Sequence, residues 1–263
     1  MPGETTLEQQ WYRLLTEGEP TARYVRRILR VLPSSPRCKI CNSPFRGPGG
    51  VLMRAVGREQ SRYNPRYCEP CAQFDNPGGA EVVLTMLFAD VRNSTTIAEG
   101  MSPRDFSRLM NRFYNVATDV LVRTDAMVDK LVGDEVIGLY IPGFAGPAHP
   151  QKAIRGAERL LQQTGHGDKN GPWLPVGVGL HTGVVYAGVV GGEAAKPKDF
   201  TVLGDNVNIA ARLASQAGPG EIVISDETYA AAGLELGQLP RQQVELKGKR
   251  KATGFRVMRI AAE

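Results

Sequence analysis

The sequence predicts an α+β fold: a mostly antiparallel sheet covered by helices, preceded by a helical segment and a small cysteine-bearing region. Three observations predict it. After residue 81, strand-like and helix-like runs alternate irregularly with hairpin signals among them, unlike the regular alternation of a parallel doubly wound sheet. The 263-residue chain is 42 % hydrophobic and 22 % charged, ordinary for a globular protein with a core. All four cysteines lie ahead of that region, as two C-x2-C pairs.

Taken in order, residues 1–35 read as a helical segment. "TTLEQQWYRLL" opens on Thr5 or Thr6 as a cap and spaces Leu7, Trp11, Leu14 and Leu15 on one helical face. "GEPTARYVRRILRVLP" restarts at Pro20 with Tyr24, Val25, Ile28, Leu29, Val31 and Leu32. Residues 36–75 are rich in Pro, Gly and Arg and have little room for a core of their own. "DNPGGAE" (75–81) is a turn-rich hinge, and the main domain is placed at 81–263.

In that domain "EVVLTMLFADV" reads as a buried strand, and 102–124 as a long helix with Phe106, Leu109, Met110, Phe113, Val116, Ala117 and Val120 on one face. Residues 126–142 are two apolar runs broken by "GD", a hairpin signal. Residues 150–163 are helical, and "PVGVGLHTGVVYAG" is a strand with glycines and a turn. A helix is expected over 205–218, capped by Asp205 and ended by Gly218. "EIVIS" is a strand, "DETYAAAG" a short helix, and the remainder a closing hairpin.

No apolar run approaches the roughly 18 residues that span a bilayer, and "MPGETTLEQQ" has acids and no apolar core of a secretory signal. The expected location is cytoplasmic, with no membrane span. Residues 1–75 hold 12 of the 32 Lys+Arg and 7 of the 27 Asp+Glu, so the net charge of +5 sits entirely there. These arginines lack interleaved aromatics, so a solvated basic face is the reading and no nucleic-acid partner is expected.

Cys38 and Cys41 are separated by 26 residues from Cys68 and Cys71. Without a secretion signal, this pattern reads as a metal site rather than disulfides. Four thiolates suit one structural Zn²⁺, and the same set suits an iron–sulfur cluster.

Two acids stand out in the main domain. Asp90 ends the first strand and runs into Asn93, Ser94, Thr95 and Thr96; Asp134 sits in the turn "LVGDEV". A buried carboxylate is costly without a cation beside it. Two carboxylates with substrate phosphate oxygens are a usual way to hold Mg²⁺. Read alone, each acid is an ordinary strand-end or turn residue. No P-loop is present, and the glycine spacing of "GVGLHTG" does not fit a dinucleotide fingerprint.

Four motifs occur in order: "LFADVRNSTTIAE", "DKLVGDEVIGLY", "GLHTGVVYAGVVG" and "FTVLGDNVNIAARLAS", followed by "VELKGK". Together they resemble the class III nucleotidyl cyclase catalytic domain of bacterial type, the family of adenylate and guanylate cyclases. The resemblance covers about residues 81–260 and implies the ferredoxin-like form of the α+β fold. It implies that Asp90, Val91 and Asp134 hold two Mg²⁺ or Mn²⁺ ions. It implies that Lys130 and Thr201 select the base, the Lys–Thr pair favouring ATP. Asn208 and Arg212, on one helical face, match the residues that orient the ribose and stabilise charge on the α-phosphate. Asn93, Ser94, Thr95 and Thr96 would cradle phosphates, and Lys247 matches the lysine on the terminal phosphates.

The activity so implied is conversion of ATP to 3′,5′-cyclic AMP and pyrophosphate. The alternatives are cyclic GMP, a cyclic pyrimidine nucleotide as in antiphage signalling, or a silent nucleotide-binding module. The chain carries both halves of a site that this family shares between subunits, so a homodimer is expected. Val184 stands where some members have Arg after "HTG", so phosphate contacts are expected to be fewer or to come from elsewhere.

Overall fold

A computed structural model describes residues 6–18, 20–32, 36–62, 64–75, 78–191, 198–233, 239–244 and 253–260. The chain forms two compact units, each discontinuous in sequence. One comprises Met1–Val83, Ile141–Pro147 and Val184–Gly204; the other comprises Leu84–Tyr140, Ala148–Gly183 and Asp205–Glu263.

In the first unit, helix α1 (Leu7–Thr16) opens on Thr6, whose hydroxyl accepts from the Gln9 amide while the Gln9 side chain accepts from the Thr6 amide. Its Trp11 and Leu15 are buried. Helix α2 (Pro20–Leu29) and the short α6 (Pro142–Ala145) pack nearby, the Arg26 guanidinium lying over the Phe144 ring at 4.9 Å. The cysteine region has more internal structure than its composition predicts. It contains α3 (Gly47–Ala55) and a 3-10 turn at Glu69–Asp75, and it buries Phe45, Met53 and Tyr67.

Most of the expected sheet belongs to the second unit. Strand β1 (Gly78–Val91) pairs antiparallel with β3 (Glu135–Tyr140), and β3 with β2 (Met127–Val132). The full strand order is β2-β3-β1-β4-β6-β8-β7, with β5 (Asp199–Leu203) pairing the far half of β4 (Val176–Val190). The β4–β6 (Glu221–Ser225) pair is parallel, and β6–β8 (Thr253–Arg259) and β8–β7 (Arg241–Val244) are antiparallel. Strand β5, the far half of β4 and the start of β1 belong to the first unit. The turn expected inside "PVGVGLHTGVVYAG" is absent: β4 runs unbroken for 15 residues, because its glycines face packed neighbours instead of bending the chain.

Helix α4 (Ser94–Glu99) follows β1. Helices α5 (Pro103–Arg123) and α7 (His149–Gln163) cover the β2–β3 side. The apolar stripe of α5 buries Met110, Phe113, Ala117 and Val120, as its spacing predicts; Phe106, Leu109 and Val116 are less covered. Helices α8 (Asp205–Gln216) and α9 (Asp226–Ala232) cover β6. Leu213 and Ala217 pack with Val223 and Phe255 there. Asp205 is the first helical residue of α8 rather than its cap.

Candidate functional site

Strand β1 is buried on both faces from Leu84 to Ala89, and at its end Asp90 is half-buried opposite Glu135 of β3. The β2–β3 connection is the two-residue turn Gly133–Asp134. Gly133 has φ +61°, a conformation that favours glycine. The Val91 amide donates to the Asp134 carbonyl at 3.1 Å, fastening strand end to turn. Asp134 therefore lies close enough to Asp90 to influence the ionisation of Asp90.

The surrounding charges are legible. Burial raises the Asp90 carboxyl above its ordinary range, the Arg92 guanidinium pulls it back, and Asp134 pushes it up further. Arg92 is ion-paired to Asp90, and its Nη1 reaches the Ser215 carbonyl near the end of α8 at 3.4 Å. The Ser94 hydroxyl donates to the Asp134 carboxylate. Glu135 is also raised, by burial and then by both aspartates. Asp90 and Glu135 are thus both held above their ordinary range, with Asp134 contributing to each.

The structure thus brings Asp90, Val91, Ser94 and Asp134 together. Asn93 adopts φ +56° ahead of α4, and Asn93, Thr95 and Thr96 are exposed. Lys130 is exposed on β2, at a register shift opposite Ile137. On α8, Asn208 is exposed and Arg212 half-buried. Thr201 belongs to the other unit, buried on β5 opposite Gly188. Lys247 lies outside the described residues.

Sequence reasoning missed Arg92, Glu135 and His181. The signal for Glu135 was its place beside Asp134 in "GDE". His181 is the buried histidine of "HTG": its Nδ1 lies 2.9 Å from Ser225 Oγ, and its Nε2 2.9 Å from Asn206 Oδ1. A further run of hydroxyls continues from Ser225 through Thr228, Thr182 and Thr85 to His149.

The four cysteines form a second site. Their Sγ atoms all lie within 4.8 Å of one another, all four residues are buried, and Cys41 and Cys68 are 3.6 Å apart. They are free thiols. Tetrahedral Zn²⁺ with Zn–S of about 2.3 Å needs sulfurs about 3.8 Å apart, so the donor set fits. Burial pushes the Cys38 thiol up, and contacts with Cys38 and Cys68 hold Cys41 down. The Cys68 amide donates to Cys38 Sγ at 3.3 Å, an outer hydrogen bond of the kind that tunes a metal thiolate.

Residues 80–259 match the family model described as the adenylate and guanylate cyclase catalytic domain. The chain is 31 % identical over 137 residues to an adenylate cyclase of Anabaena cylindrica, covering 49 % of this chain and 26 % of that protein. It is 31 % identical over 180 residues to guanylate cyclase 2G of Mus musculus, covering 65 % and 16 %. The chain therefore spans about a quarter or less of these curated relatives. Among solved structures, the guanylyl cyclase Cya2 aligns at TM-score 0.59 and 26 % identity, covering 68 % of this chain and 92 % of that one. The adenylyl cyclase CyaB from P. aeruginosa aligns at TM-score 0.58 and 26 % identity, covering 68 % and 95 %.

Proposed function

The chain belongs to the adenylate and guanylate cyclase catalytic domain family, and on that premise we propose that it converts ATP to 3′,5′-cyclic AMP and pyrophosphate. The observation that carries the reading is the convergence of Asp90 and Asp134 at the end of β1, fastened by the Val91 amide.

In this reading Asp90, Asp134 and the backbone of Val91 hold two Mg²⁺ or Mn²⁺ ions. When bound, these supply positive charge against the triphosphate and favour ionisation of the attacking hydroxyl. The ribose O3′ gives up its proton to water and forms a bond to the α-phosphorus, and the bond from that phosphorus to the departing pyrophosphate breaks. Asn208 orients the ribose, and Arg212 meets the charge that develops on the α-phosphate. Asn93 to Thr96 offer backbone N–H groups and hydroxyls to the phosphates, and Lys247 offers its ammonium to the terminal ones. Lys130 donates to adenine N1, an acceptor, with Thr201 as the second base contact. These roles are mostly positioning and electrostatics, as phosphoryl transfer requires.

Because one chain carries both the metal acids and the base, ribose and phosphate residues, two copies make two equivalent sites. Cys38, Cys41, Cys68 and Cys71 hold one Zn²⁺, with an iron–sulfur cluster as the alternative for the same thiolates. Among the described residues, no helix is long and apolar enough to cross a membrane.

The test is incubation of purified protein with Mn²⁺ and ATP, GTP, CTP or UTP in turn, followed by chromatography. ATP should yield most cyclic product. Best turnover of GTP, CTP or UTP overturns the base assignment, and no cyclic product from any of the four leaves a silent nucleotide-binding module.

A further inference from the structure

The cysteine region grips the strand that carries Thr201. Three of its side chains reach the backbone just before that residue. Lys39 Nζ donates to the Phe200 carbonyl at 2.6 Å. The Phe200 amide donates to Tyr67 Oη at 3.0 Å. Asn64 Nδ2 donates to the Lys198 carbonyl at 2.8 Å. The gripping groups are deeply placed: Tyr67 is 0 %, Asn64 1 % and Lys39 9 % exposed. Asp199 adds a charge clamp, pairing with Lys39 Nζ at 3.1 Å and with Arg66. All of this lies in the first unit.

Two of the gripping residues are set by the cysteine pairs. Lys39 sits between Cys38 and Cys41, and Tyr67 directly precedes Cys68. The Lys39 amide donates to the Arg66 carbonyl at 2.9 Å, joining the two pairs. Helix α3 and the 3-10 turn are too short to hold these loops alone, so a metal on the four sulfurs would keep Lys39 and Tyr67 in place.

We infer that Lys39, Asn64 and Tyr67 are positioning residues for base selection, and that the metal bound by the four cysteines sets how Thr201 is presented. This rests on the proposed role of Thr201. Phe200 and Thr201 are adjacent in one strand, so a shift of the Phe200 backbone is passed on directly. The cysteine cluster is then a specificity device as well as a fold element, and its loss loosens base discrimination before it destroys the sheet. A lost hydrogen bond of this kind corresponds to a change of about fivefold.

The test has two arms on the full-length protein. In the first, amide hydrogen exchange is followed by mass spectrometry before and after zinc removal, with metal content measured on the same samples. Exchange over residues 198–203 should quicken about tenfold or more and return on reloading, while α5 exchanges unchanged. Unchanged exchange over 198–203 overturns the grip whatever Thr201 does. In the second arm, the ratio of kcat/KM for ATP over GTP is measured for Tyr67→Phe, Lys39→Met, Thr201→Ala and the double variant Tyr67→Phe/Thr201→Ala. Tyr67→Phe should lower the ratio about fivefold and have no further effect in the Thr201→Ala background. An effect of Tyr67→Phe that persists undiminished there overturns the inference. If Thr201→Ala leaves the ratio unchanged, the base-contact reading fails, while the exchange arm still decides the grip.

Discussion

His181 Nε2 lies 2.9 Å from Asn206 Oδ1, tying the middle of β4 to the first turn of α8. Asn206 is two residues before Asn208 and six before Arg212, so this bond fixes the start of the helix that presents both. A Cβ at Gly183 would sit 2.6 Å from the Asn206 side chain, so the strand has room for that amide only because the residue is glycine.

His181→Phe puts a larger, apolar ring at this buried position and removes both hydrogen bonds. It should cost about 2 kcal/mol of stability, since Ser225 and Asn206 lose a buried partner. It should also lower kcat more than it raises KM. Thermal unfolding and steady-state kinetics check both effects. Gly183→Ala should lower kcat with a smaller stability loss, and normal kcat in that variant would separate Asn206 from the active geometry.

Asp90→Ala and Asn208→Ala should each abolish cyclase activity alone, because each removes one half of every site. Mixed together they should regain up to about a quarter of wild-type activity, since half of the dimers formed at random are mixed and each has one intact site. Activity of the mixture is compared with each variant at the same total concentration. No recovery would sink the shared-site arrangement.

Cys68→Ser should lose the bound metal and destabilise the first unit, because the sulfur it removes is fully buried against Cys41. Purification without oxygen, metal analysis and a visible spectrum identify the ion. About one zinc per chain with no absorbance near ~400 nm supports the structural zinc site, whereas iron with acid-labile sulfide refutes it. Unchanged metal content and melting temperature in Cys68→Ser would show that the cysteines hold no ion.

Burial pushes His149 down to about 4, and its Nδ1 lies 2.8 Å from Thr85 Oγ1. The folded state resists protonating this ring, whereas the unfolded chain takes up the proton near pH 6.5. Stability from neutral His149 is therefore fully present above that pH and falls as pH drops from 6.5 towards 4. The loss is at most about 3 kcal/mol. His149→Gln should flatten the melting temperature over that range, and an unaltered slope would assign the acid sensitivity elsewhere.

The sequence by itself determined the α+β class, the long α5 stripe, the β2–β3 hairpin and the family, because these depend on local periodicity and on motifs whose residue types are tightly constrained by their chemistry. It also determined that the cysteines form a set, since two C-x2-C pairs have few other uses. Only the tertiary structure decided that β4 runs straight through its glycines, because whether glycine bends a strand depends on what packs against the missing side chain. It alone decided that Arg92 is the cation against Asp90, that Glu135 joins the acid pair, and that His181 anchors α8. The contact of Lys39 and Tyr67 with Phe200 spans more than 130 residues of chain, and no local pattern encodes such a pairing. Hydrogen bonds of that range follow from the packing of buried polar groups that must each find a partner, a condition met only once the whole unit has assembled.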